Sequence, residues 1–266
     1  MKNMRRGSGL VLGLLWLLMA DLASAGDYEI IVGKGVELCE ACLQNLLRQS
    51  AEEAACDRRY APDLGFGQPE WETLALQGHV ELYKRMSNLV RSGKEDLPKP
   101  DLGNPSERDE FIRVEEITRG ALSAVHIDID NDGQLDRVLK YQSGNCRRNF
   151  HGYNIFYQSA LVVVVGDHRA IDYPKTDLLV QHFPDASKFL DMYRIGMPHY
   201  QMYQVFTYKG TVYFDRWDRV GQELDPITRK AIGPDRNTVS IYEVRQGQAR
   251  RTCQIRLFPP DSVPHN

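Results

Sequence analysis

Apolar and polar positions in the first third of the chain alternate with a helical period. Apolar residues and cysteines recur every three to four positions between residues 36 and 49, which predicts an amphipathic helix. Ser50 and Glu53 then have the spacing of a capping box, so a short helical turn carrying Cys56 is expected to begin there. Ahead of both, residues 28–32 have the composition of a strand.

A second helix is predicted to begin at Pro69-Glu-Trp71, because proline favours the first turn of a helix. Apolar residues then recur at helical spacing up to Gly93, which stands where a C-terminal cap is expected. Residues 94–105 are rich in proline, glycine and charge, which predicts a linker. Residues 106–119 are expected to form a short helix.

After residue 120 the apolar pattern changes to a period of two, which is typical of strands. Residues 121–127 and 135–142 are predicted strands on either side of an acidic loop. Lys209-Gly210 and Gly247 are expected to form tight hairpin turns. The other predicted strands are 161–165, 178–183, 205–208, 211–215, 239–245 and 250–258.

Short connections between successive strands favour antiparallel pairing. The predicted fold class is therefore α+β, with an N-terminal helical subdomain packed on a C-terminal antiparallel β-sheet. The expected domains are a helical, cysteine-containing subdomain over residues 26–93, the linker over residues 94–105 and a β-rich domain over residues 106–266.

Residues 1–25 have the pattern of a secretory signal peptide. A basic start is followed by an apolar run over residues 10–20 and by Ala23-Ser-Ala25, a small-residue cleavage site. The apolar run is shorter than the roughly 20 residues that a membrane span needs. The sequence therefore predicts a periplasmic or secreted protein with no membrane span after cleavage; an uncleaved anchor is the alternative.

Charge and motifs exclude several functional classes. The formal net charge is −3 and no basic stripe is present, so nucleic-acid binding is not expected. The chain contains no nucleophile elbow, phosphate loop or dinucleotide fingerprint, and no catalytic residue is predicted. A hydrolase assembled from Asp167, His168, His182 and Asp185 is kept as one alternative.

The acidic loop between the first two predicted strands is the strongest motif. Asp128, Asp130, Asp132 and Asp136 fall at its positions 1, 3, 5 and 9, and a glycine stands at position 6. Four close carboxylates repel one another unless a cation neutralises them. Hard oxygen ligands around a sharp turn suit calcium, so the loop is predicted to bind this ion.

The pattern D-x-D-x-D-G-x-x-D, followed by an apolar strand, resembles the calcium loops of FG-GAP and VCBS-type repeats. The resemblance covers one copy of the loop and its strand. It implies that the side chains of Asp128, Asp130, Asp132 and Asp136, together with the backbone carbonyl of Gln134, bind calcium.

The wider layout resembles a group of small exported bacterial proteins. These have a cysteine-containing helix, Cys-x-Arg, a Pro-x-Trp-Glu helix start, one acidic loop and a late strand bearing a cysteine. The matching stretches here are residues 39–47, Cys56-Asp-Arg58, Pro69-Glu-Trp71-Glu72 and Arg251-Thr-Cys253. This resemblance implies no activity.

Five cysteines lie beyond the predicted leader, and cysteines of exported proteins mostly form disulfides. Sequence alone leaves the connectivity open. The preferred pairs are Cys39–Cys56 and Cys146–Cys253, since strand parity turns Cys253 inward. Cys42 is then left free or as an alternative partner.

Cys39-Glu-Ala-Cys42 has the spacing of a thiol–disulfide exchange motif, which provides the second enzymatic alternative. The helical pattern begins before Cys39, and Glu37 and Glu40 disfavour a thiolate there. A zinc site formed with Cys56 and His79 is a third interpretation of the same cysteines.

Aromatic residues are frequent in the C-terminal strands, and strand alternation predicts that about half of them face outward to form a binding face. The aromatic residues concerned are Tyr203, Phe206, Tyr208, Tyr213, Phe214, Trp217 and Tyr242.

The function predicted is an exported, non-enzymatic, calcium-stabilised binding or structural protein of the cell envelope or exterior. Its partner is an unknown protein or glycan.

Overall fold

Strands dominate the part of the chain that the structure shows. The predicted leader, residues 1–25, and the positions of the hydrolase alternative lie outside that part. The structure, a computed structural model, describes residues 27–92, 97–144, 146, 158–166, 170–179, 199–220, 223–224, 231–232 and 236–258.

The helices are short. Ser50 and Glu53 make the predicted capping box, in which the Ser50 hydroxyl accepts from the Glu53 N–H and the Glu53 carboxylate accepts from the Ser50 N–H. Asn104 caps the helix that Pro105 opens. Within the described residues the α-helices are α1 (Glu37–Leu47), α2 (Ala51–Cys56), α3 (Val80–Ser92), α4 (Pro105–Ile117) and α5 (Tyr173–Leu179).

Eleven strands of the described chain form one sheet that curves into a half-barrel, in the order β1-β13-β12-β9-β8-β6-β5-β4-β3. The short β2 pairs with β8 and β7 pairs with β6, while β10 and β11 form a separate pair. The strands are β1 (Asp27–Val32), β2 (Phe66–Gly67), β3 (Glu72–Leu74), β4 (Ala121–Ile127), β5 (Asp136–Ser143), β6 (Gln158–Val165), β7 (Ala170–Ile171), β8 (His199–Tyr208), β9 (Thr211–Val220), β10 (Glu223–Leu224), β11 (Ala231–Ile232), β12 (Arg236–Arg245) and β13 (Gln248–Phe258).

The α+β prediction is wrong, because the described chain is mostly β and has no N-terminal helical subdomain. The N-terminal third contributes three strands to the large sheet: β1 pairs with β13, β2 with β8 and β3 with β4. Two of the helices, α4 and α5, follow later in the chain. Helices and strands are therefore interleaved along one sheet.

The helix predicted from Pro69 begins only at Val80. Residues 72–74 instead extend the sheet as β3, where Leu74 pairs with Leu122 and is buried. The strand predicted at residues 178–183 is also wrong where it is described, since Leu179 ends α5. In both segments the run of apolar residues is too short to distinguish the period of two of a strand from the helical period.

Buried residues cover both faces of the curved sheet. One cluster packs α1 and α2 on β8, β9, β12 and β13, and a second packs α3 and α4 on β4 to β6. A third lies on the opposite face and includes Leu179 of α5. Six of the seven C-terminal aromatics are buried and Tyr213 is half-buried, so the predicted outward aromatic face is wrong.

No helix in the described ranges is both long enough and apolar enough to cross a membrane.

Candidate metal centre and cysteine sites

The acidic loop joins β4 to β5 and is shaped by their antiparallel register. Ile127 pairs with Asp136, so Asp128 and Asp136 leave the ladder at the same end. Asn131 and Gly133 adopt the left-handed conformation, with φ of 56° and 93°. Glycine adopts this conformation at no steric cost, which is why it suits the sharp turn at Gly133.

Three of the predicted ligands converge. One carboxylate oxygen from each of Asp128, Asp130 and Asp136 lies within 4.8 Å of the other two. Asp132 is outside this group; its Oδ1 accepts the N–H of Gln134 at 2.8 Å. The Gln134 carbonyl and the Asp132 side chain stay predicted ligands, while the three converging carboxylates form the geometric core of the site.

Hydrogen bonds fix the loop in place. Asp128 Oδ1 and Oδ2 accept the N–H groups of Asp132 and Gly133 at 2.9 and 3.0 Å. The Asn131 side chain donates to the carbonyls of Val212 and Val244 and accepts the N–H of Val212. Because Val212 and Val244 belong to β9 and β12, the loop is held against two distant hairpins.

Lys175 is the site residue that sequence reasoning missed. Its Nζ lies 2.8 Å from Asp130 Oδ2, 2.7 Å from Asp136 Oδ1 and 3.8 Å from Asp132 Oδ2. Burial alone would lower the pKa of Lys175, but its hydrogen bonds to Asp130 and Asp136 raise it above the ordinary value. Lys175 lies on α5, thirty-nine residues from Asp136, and no local pattern links the two.

Two carboxylate oxygens remain available to an ion. Asp130 Oδ1 and Asp136 Oδ2 are buried and have no hydrogen-bond partner among the described residues. Burial raises the pKa of Asp136, although the hydrogen bond from Lys175 opposes that shift. A buried polar atom without a partner costs free energy, which a hard cation would recover. The donor set therefore fits a divalent cation that prefers oxygen.

The prediction that the chain carries disulfide bonds is confirmed, but the preferred pairing is wrong. Cys39 bonds Cys253 and Cys56 bonds Cys146, with Cα–Cα distances of 5.6 and 5.5 Å. Cys253 does point inward, as its parity predicted, and is fully buried. The element that covers it is α1, which brings Cys39 to it.

Cys42 is buried and free of any bridge. Burial, and then the nearby Asp215 carboxylate, raises the pKa of the Cys42 thiol. A thiol must ionise to attack a disulfide, so this site gives exchange chemistry no support. The zinc interpretation also lacks a ligand, since Cys56 is bridged, and His79 Nδ1 lies 3.0 Å from the Ala75 carbonyl.

Comparisons of the chain with protein-family models, curated proteins and solved structures find no match.

Proposed function

We propose that the protein is an exported, non-enzymatic binding or structural protein whose fold is stabilised by calcium at the loop of residues 128–136. The observation that carries the proposal is the convergence of Asp128, Asp130 and Asp136 within 4.8 Å. Two bridges between segments distant in sequence support an oxidising location. The partner is a protein or glycan outside the cell.

Lys175 gives the proposed calcium site a built-in competitor. Its ammonium group touches two of the three converging carboxylates, so an arriving calcium ion must displace it. The Lys175 side chain is about one quarter exposed, so it is in contact with solvent. The ion is then held by a loop that is fastened to β9 and β12 through Asn131, so binding stabilises the sheet.

Calcium is expected to raise the melting temperature of the wild-type protein above its value in chelator. A hundredfold excess over the dissociation constant stabilises a fold by about 2.7 kcal/mol. Magnesium should substitute poorly, because it requires a tighter octahedral shell. Asp130→Asn combined with Asp136→Asn should abolish the calcium-dependent shift. Differential scanning calorimetry in calcium and in chelator measures each value.

The substitution Lys175→Met tests whether the acidic loop is an ion-binding site or only an acidic turn. In chelator this variant should melt below wild type, because its carboxylates lose their neutralising ammonium. In calcium it should show a larger shift than wild type, because the competitor is gone. Asp177→Asn, an exposed change on the same helix, serves as the control and should leave the shift unaltered. Identical melting of wild type in calcium and chelator would reject the proposal.

A further inference from the structure

A polar cleft of about 740 Å³ lies away from the acidic loop. Its walls come from the segments that follow α2 and α4 and from β5 and β8, and the Cys56–Cys146 bridge forms part of them. This volume is in the range of pockets that hold small molecules. Three glutamine side chains, Gln68, Gln142 and Gln204, supply neutral hydrogen-bonding groups along the lining.

Positive charge dominates the lining. Arg58, Arg59, Arg119 and Lys140 face the cleft, and Asp57 is the one carboxylate among the described lining residues. Arg58 is neutralised by Asp215 behind the wall. Arg59 and Arg119 are exposed and have no ion-pair partner within the described ranges. The cleft therefore presents an excess of unneutralised cationic groups.

Arg58 and Lys140 are buried cations of this cleft, and Lys140 is the one that no carboxylate of the described residues neutralises. It is 7% exposed, and its Nζ donates to Gln204 Oε1 at 2.8 Å. No carboxylate in the described chain lies within ion-pair distance of it. Its Nζ lies 5.8 Å from the centre of the Trp71 ring. An ammonium group has three donors, so Lys140 retains donors for a ligand.

Keeping this ammonium buried is unfavourable for the fold. Burial, and then the neighbouring Arg58, lowers the pKa of Lys140 to about 8, while Asp215 and Asp57 oppose the shift. Lysine is rarely buried without a partner, and strongly perturbed groups in clefts are enriched at functional sites. An anionic group placed against Lys140 would supply the missing counter-charge.

We propose that the cleft binds a small ligand through an oxyanion group, a sulfate, phosphate or carboxylate, with the Lys140 ammonium as its buried contact. Arg119 and Arg59 contact the same group or its neighbour from the rim. The glutamine side chains hydrogen-bond the uncharged part of the ligand. This site is independent of calcium and goes beyond the proposed function.

The test is isothermal titration with sodium sulfate, glycerol 3-phosphate and citrate at low ionic strength, with neutral glycerol as the uncharged control. At least one of the three anions is expected to bind, and their ranking identifies the oxyanion class. Lys140→Met should weaken that affinity by about tenfold or more, as expected for a lost charge-assisted hydrogen bond. Failure of all three anions to bind wild type at 10 mM, on the order of a weak ligand's dissociation constant, would overturn the proposal.

Two further variants control for folding and for net charge. Arg119→Asn keeps a residue that tolerates the left-handed conformation found there, φ 55°, and should weaken binding several-fold. Arg113→Ala removes a positive charge from the exposed face of α4 and should leave the affinity unchanged. If Arg113→Ala and Lys140→Met lose the same affinity for the anion, binding depends only on the net charge of the protein, and the site is rejected. Lys140→Met should melt no lower than wild type, because it removes a buried charge.

The pH dependence of sulfate affinity tests the role of Lys140, because a purely structural role would leave this dependence unchanged. Sulfate keeps its charge between pH 7 and pH 10, so any change in its affinity reports on the protein. Affinity should fall above about pH 8 as Lys140 loses its proton. The other charged groups around Lys140 and the cleft are Arg58, Arg59, Arg119, Asp57 and Asp215. A flat wild-type profile would contradict the role assigned to Lys140.

Discussion

Asp215→Ala is expected to lower the free energy of unfolding by about 3–5 kcal/mol, because it leaves a buried guanidinium without its counter-charge. The side chains of Arg58 and Asp215 are 1% and 0% exposed. Arg58 Nε donates to Asp215 Oδ2 at 2.7 Å and Nη2 donates to Oδ1, so the pair is bidentate. Urea unfolding of both proteins at pH 7 measures the difference.

The groups around Arg58 explain why its guanidinium cannot compensate for the loss of the Asp215 carboxylate. The Tyr60 hydroxyl also donates to Asp215, and Arg58 Nη1 donates to the Ala54 carbonyl at 2.6 Å. The Arg58 guanidinium carbon lies 5.4 Å from the centre of the Trp217 ring. Arginine stays charged in proteins at neutral pH, so Arg58 cannot escape the cost by releasing a proton. The pair also fastens the chain after α2 to β9.

Removing both charges should cost less than removing one. Arg58→Met combined with Asp215→Ala removes both charges of the pair, so it should be more stable than Asp215→Ala alone. Glu110→Ala breaks an exposed pair with Arg113 on α4 and should leave stability nearly unchanged. If Asp215→Ala unfolds at the same urea concentration as Glu110→Ala, the buried pair does not have the role given to it here.

Local patterns located the elements whose partners are close in sequence. The hairpin turn at Lys209-Gly210 has φ of 49° and 83°, and the turn at Gln246-Gly247 has φ of 54° and 67°. Both suit the two-residue connections that strand alternation predicted. The Ser50–Glu53 capping box could also be predicted from the sequence, because its two residues lie about one helical turn apart. The β4 and β5 strands placed the acidic loop correctly between them.

Pairings between distant segments could not be predicted in this way. Arg58 and Asp215 are separated by 157 residues, and Lys175 reaches Asp136 across thirty-nine. Asp215 stands between the aromatic residues Phe214 and Trp217 on β9, where a buried carboxylate needs a partner. No local pattern indicates that this partner is Arg58. Likewise, parity turned Cys253 inward but did not reveal that α1 covers that face of the sheet.

Cys39→Ser combined with Cys253→Ser is expected to lower the free energy of unfolding by about 4–5 kcal/mol, because the bridge closes a loop between residues 214 positions apart. The cross-link restricts the unfolded chain far more than the folded one, in which α1 and β13 are already packed together. Urea unfolding of the oxidised proteins gives the difference. Adding enough reductant to open the bridges should remove the part of the difference that comes from the cross-link, and what persists is the cost of two buried hydroxyl groups.

Cys42→Ser is the matched control for that change. It makes the same sulfur-to-oxygen replacement in a helix position that is 2% exposed, but it opens no loop. Its cost should be about 1–2 kcal/mol, from burying a hydroxyl group, and should persist in reductant.

The neighbouring backbone supports the Cys39–Cys253 pairing, since a Cβ added at Gly33 would lie 2.5 Å from the Cys39 sulfur and 2.6 Å from the Thr252 carbonyl. Peptide mapping without reductant that joined Cys39 to Cys56 would show this pairing to be wrong, and the segment containing α1 would then not be cross-linked to β13.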